Sequence, residues 1–125
     1  MLKILVVANL ITSGAHFLHN AVFLDRYPGP PWIPGPWFVV VAWFVVAAVL
    51  VQGYRWHRAG RAVPALVAIL AFCASCFFVF GHYAYGHPAD FDLLTNVLIF
   101  AEGVGGAALL VYYLAVGRLR ARTRR

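Results

Sequence analysis

LKILVVANLITSGAHFLHNAVFL, Leu2 to Leu24, decides how this chain folds. Its apolar residues run for the length of a bilayer crossing, interrupted by Asn9, Thr12, Ser13, His16, His19 and Asn20. At about 100° per residue these six polar side chains fall within an arc of about 120°, which is one face of one helix. Polar groups held in lipid without partners are expensive, so this face is expected to look onto protein or a wet cavity, and a buried polar site is the leading expectation.

Working outward, composition sets the class. The chain is 63% hydrophobic and only 11% charged, with a mean hydropathy of +0.81. Soluble domains average about 45–50% apolar and about 25% charged. An all-α integral membrane protein is therefore expected: a bundle of four transmembrane helices forming one domain across residues 1–125. Charge and proline interrupt the apolar runs, placing the spans at about 2–24, 37–54, 62–83 and 93–117, with a basic tail at 118–125. Between the first two spans, Asp25 to Pro36 carries five prolines, which exclude a continuous helix and predict a stiff, aromatic, interfacial loop. Met1 to Ala15 has the outline of a cleavable leader, but the apolar run resumes after His19, so an anchored first helix is expected.

Nine of the ten lysines and arginines (Lys3, Arg55, Arg58, Arg61, Arg118, Arg120, Arg122, Arg124 and Arg125) fall on one side of this topology. Both termini are accordingly expected to be cytoplasmic, in a bacterial inner (plasma) membrane. Asp25, Asp90 and Asp92 fall on the other side, and Glu102 lies inside the fourth span. The basic tail lacks an interleaved aromatic platform, so it is read as topogenic charge with attraction to anionic lipid headgroups, and no nucleic acid is expected. The expected surroundings are the lipid bilayer and a membrane-protein partner or further copies of the chain.

Depth selects the residues that can meet. At about 1.5 Å per residue, His16 and Glu102 lie at nearly the same level, about 12–13 Å below the outer boundary. His16, His19, His82 and Glu102 are the candidate ligands of a metal or cofactor, with His16 and Glu102 also the candidate acid–base residues. Asn20, Asn96 and Tyr83 are expected to support them. His16 and His19 are three apart, and His16 and Asn20 four apart, so they present side chains to one neighbour. On the fourth span Thr95, Glu102, Gly106, Leu109 and Tyr113 share a stripe, and on the third Ser75, Val79, His82 and Gly86 do. His57 and His87 are read as solvated loop residues, and Asp92 as the N-cap of the fourth helix. Cys73 and Cys76 form a CxxC pattern, read as small apolar packing because the chain has no further cysteines to pass electrons on. No HExxH, G-x-S-x-G or P-loop sequence is present.

Three functional expectations follow. The first is a site for a transition metal (Cu, Zn or Fe) or haem b, since imidazole suits all three metals and a carboxylate lowers the net charge. The second is an intramembrane enzyme or receptor in which His16 and Glu102 exchange protons with a small lipophilic molecule entering past Trp32, Trp37 and Tyr83. The third is a non-catalytic subunit of a larger membrane complex.

Overall fold

The computed structural model describes residues 1–122, with side chains through residue 115. The basic tail therefore has its side chains, and its last three residues altogether, outside the described residues. Four helices run in chain order: α1 (Leu2–Val22), α2 (Pro36–Arg58), α3 (Ala62–Phe78) and α4 (Leu93–Arg122). A six-residue 3-10 segment, Val79–Ala84, extends α3, and short 3-10 turns occupy Leu24–Arg26 and Pro88–Asp90. Among the described residues there is no strand. All four helices, α3 taken together with its 3-10 extension to Ala84, are long and apolar enough to cross a membrane. In that setting a helix is the open structure that satisfies its own backbone.

The helices pack α1 on α2, α2 on α3, α3 on α4, and α4 back on α1. With short connections this makes an up-and-down ring in which both chain ends emerge together. Opposite them is the proline-loop end, where residues 23–35 and 85–92 lie.

Local chemistry sets the boundaries. Gly35 at φ 150° precedes Pro36, whose fixed φ and missing N–H suit the first turn of α2. At the other end of α2, Gly60 takes φ 74°, and the N–H groups of Gly60 and Arg61 donate to the carbonyls of His57 and Trp56. That pair of bonds is a glycine-terminated helix end, and it reverses the chain into α3 within three residues. The second span is thus longer than its apolar run suggested, because Arg55, His57 and Arg58 remain helical in its last turn. His57 is correspondingly no free loop residue: its Nδ1 lies 3.4 Å from the Tyr113 hydroxyl.

Two apolar clusters form the interior. The larger joins Leu2, Val6, Leu50, Ile69, Phe72 and Leu109 with Cys73 and Cys76, and fills the half nearest the chain ends. A small residue lets α3 and α4 approach there: a Cβ on Gly106 would stand 2.5 Å from the Cys76 Cβ. Nearer the loop end, where Tyr27, Val79 and Ile99 form the second cluster, the Phe80 ring occupies the space a Gly103 Cβ would need. The CxxC pair is thus walled in by packing, with Cys76 fully buried and Cys73 nearly so. Gly106→Val is expected to lower stability by about 1–3 kcal/mol through overpacking. Thermal unfolding in detergent checks this, with the lipid-facing Val104→Ala as a control expected to change stability by less than about 0.5 kcal/mol.

Candidate functional site

The polar face of α1 points inward. Asn9, Ser13, His16 and Asn20 are buried, while Thr12 and His19 are half-buried on the flank of the stripe. On α4 the facing stripe buries Thr95, Glu102 and Gly106. The two meet at His16 Nδ1 and Glu102 Oε2, 2.5 Å apart, between residues only 3% and 1% exposed. A charge-assisted contact of that length is among the strong hydrogen bonds, and it is made where water does not compete. The other imidazole nitrogen, His16 Nε2, is buried with no hydrogen-bond partner.

Around this pair the aromatic rings form a roof. His82 stands edge-on to His16 with centroids 5.7 Å apart, its Nδ1 donating to the Pro28 carbonyl (3.1 Å) and its Nε2 facing the Asn20 amide (3.3 Å). The centre of the roof is Tyr27, a residue to which the sequence reading gave no role. It is 3% exposed, and its ring packs against those of His16 (5.3 Å), His82 (5.1 Å) and His19 (5.6 Å). Its hydroxyl lies 2.8 Å from His19 Nδ1. The 3-10 turn at Leu24–Arg26 carries it there: the Tyr27 N–H donates to the Leu24 carbonyl, folding the loop back over the bundle mouth. No helical periodicity flags Tyr27, because it sits in a proline-rich loop.

The remaining expected site residues separate from this centre. His19 turns toward Tyr27 and Phe23. Tyr83 donates to Asn96 Oδ1 (2.7 Å), and the Asn96 amide donates to the carbonyls of Pro88 and Phe91. These two side chains thus fasten the connection between α3 and α4 onto α4. Asp92 does cap α4, accepting from the Thr95 N–H at 2.8 Å, and this bond holds its carboxyl below the usual carboxylate range. Trp32 and Trp37 are exposed at the loop end, each against Phe38. Beside Pro28, a shallow depression of about 390 Å³ is lined by Asp25, Arg26, Asp90, Phe91 and Asp92.

As a metal centre the cluster is short of donors. Among the described residues no group of three or more His, Cys, Asp or Glu side chains is placed to hold an ion. Both nitrogens of His82 are engaged, as is Nδ1 of His19. The Tyr27 ring packs against His16 and His82 together, where a haem held by both would need its plane. Comparison of the chain with protein-family models, with curated proteins and with solved structures gives no match in any of the three.

Burial pushes the Tyr27 phenol up to about 12 from an ordinary 10.0. The unfolded chain loses this proton near 10 while the folded chain keeps it, so stability is expected to fall as pH rises from about 10 to about 12. Denaturation of Tyr27→Phe is expected to show a shallower decline over that window than the parent chain. The His16–Glu102 pair has its own signature: His16→Ala strands a buried carboxyl and is expected to cost about 3–5 kcal/mol, whereas the double change His16→Leu with Glu102→Leu recovers most of it. Recovery in chemical denaturation means that the fold does not need the pair, and failure to recover means that it does.

Proposed function

We propose that His16 and Glu102 form a buried acid–base pair that binds the polar head of a small membrane-dissolved molecule and exchanges a proton with it. The observation that carries this reading is the 2.5 Å contact at His16 Nδ1, which leaves the buried Nε2 without a partner. A carboxyl held on one imidazole nitrogen fixes the ring's orientation and shares a proton with it, so that the other nitrogen is the place where a proton is given or taken. Packing alone has no use for that second nitrogen, since a buried polar atom without a bond costs stability.

The surroundings favour exchange from one side. Between the pair and the chain ends lies the cluster of Leu2, Val6, Leu50, Ile69, Phe72 and Leu109 with Cys73 and Cys76, whose buried members include no carboxyl and no imidazole. Toward the proline-loop end, Tyr27, His19 and His82 follow within ring contact. Arg55, Arg58 and Arg61 lie at the opposite end, and this basic-residue asymmetry supports the reading that the pair sits in the extracytoplasmic half of a plasma membrane. On this reading a molecule dissolved in the bilayer reaches that depth laterally, without passing the Tyr27 roof.

Native mass spectrometry of the full chain released from membrane nanodiscs tests the reading. The parent protein is expected to carry an organic molecule, and Glu102→Gln, which keeps the side-chain shape, is expected to lose at least about nine-tenths of it while retaining its helical circular dichroism. A parent chain that carries nothing, or a Glu102→Gln chain equally loaded, overturns the reading. Copper, zinc or iron at one equivalent, lost in His16→Ala, would overturn it in favour of the metal alternative.

A further inference from the structure

Hydrogen-bond roles around His82 can be assigned from one end. The Pro28 carbonyl can only accept, so the Nδ1 atom beside it carries the ring proton. In the neutral ring Nε2 then offers a lone pair, and the Asn20 atom that faces it is the amide nitrogen. Asn20 is thereby committed: its NH2 group serves His82, and its Oδ1, buried and unpartnered, is an acceptor without a donor. His16 lies four residues earlier on the same face of α1, which sets the two Cβ atoms about 6 Å apart. Its unpartnered Nε2 belongs to the ring that abuts His82. Both residues are more than nine-tenths buried, at 3% and 8% exposure. Two further atoms are unpartnered: Thr95 Oγ1 belongs to a hydroxyl that rotates to either role and so imposes no choice, and Asn9 Oδ1 lies about 10 Å down α1 from His16, seven residues away and out of reach of the same group.

We infer that the group received between His16 and Asn20 is a hydroxyl, and hence that the ligand is a neutral, hydroxyl-bearing lipophile. This rests on the reading of the pair as a site for a membrane-dissolved molecule, and it names the chemical class. A hydroxyl donates to Asn20 Oδ1 and, when the shared proton resides on Glu102, accepts from His16 Nε2–H, so one oxygen satisfies both leftover atoms. An ether or a ketone only accepts and leaves Asn20 Oδ1 bare. A carboxylate also only accepts, and it brings a full charge into a medium of low dielectric with no cation beside it among the described residues.

The probes are 1-decanol and decyl methyl ether, added to the full chain in lipid nanodiscs labelled with nitrogen-15 histidine. The readout is the His16 Nε2 resonance, assigned by its loss in His16→Gln. Decanol is expected to shift it saturably at a membrane mole fraction about tenfold lower than the ether, the discrimination that one buried hydrogen bond supplies. Asn20→Leu is expected to bring the two probes level. The comparison on the parent chain stands whether or not that variant folds. Equal responses to the two probes overturn the hydroxyl assignment and leave the acid–base reading intact. No saturable response to either means that water alone meets the leftover atoms, which also overturns the assignment. Loss of the co-purified molecule in Glu102→Gln judges the underlying reading separately.

Discussion

A single buried contact, His16 to Glu102, governs how α1 sits against α4. In lipid, apolar surface gives helices little reason to choose one rotation over another, because acyl chains are as good a neighbour as leucine. A carboxyl and an imidazole at matching depth remove that freedom, since either group turned outward would be stranded in hydrocarbon. With the rotation set, Asn9, Ser13 and Asn20 follow inward on the same face, and Gly105 allows α4 to come close enough for Asn9 Oδ1 to stand 3.0 Å from where a glycine Cβ would be. Ser13 then accepts from the Trp43 indole N–H at 3.3 Å, which ties α2 to the same stripe.

The loop between α1 and α2 has a second role beside connection. Its prolines exclude a helix, and its 3-10 turn sends Tyr27 back across the bundle mouth, where three imidazoles pack on one phenol ring. That roof divides the histidines by occupation. His19 is engaged at Nδ1 by the phenol, and His82 by a carbonyl and an amide, which leaves His16 as the ring with one nitrogen oriented by a carboxyl and the other open. Three similar residues thus acquire three different chemistries from their neighbours alone.

Small residues decide the opposite half. Gly106 brings the α4 backbone close against Cys76 of α3, and the apolar cluster beyond it joins Leu2 to Leu109. The polar centre is consequently bounded by this apolar packing on one side and by the Tyr27 roof on the other. In this packing the CxxC pair is a pair of small knobs, since neither sulfur has the exposure that thiol chemistry requires.

Sequence by itself determined the four helices, the inward stripe of α1 and the shared level of His16 and Glu102, because all three follow from helical geometry and the cost of polar groups in lipid. Asp92 as a cap was legible for the same reason: it depends on residues three apart. Tertiary structure alone decided which histidine is left with an open nitrogen, that Tyr27 covers them, that Asn96 and Tyr83 hold a loop rather than the pair, and that His57 meets Tyr113. Those outcomes depend on where a proline-rich turn returns and which of several competing donors reaches an acceptor first in space, and neither leaves a period in the chain.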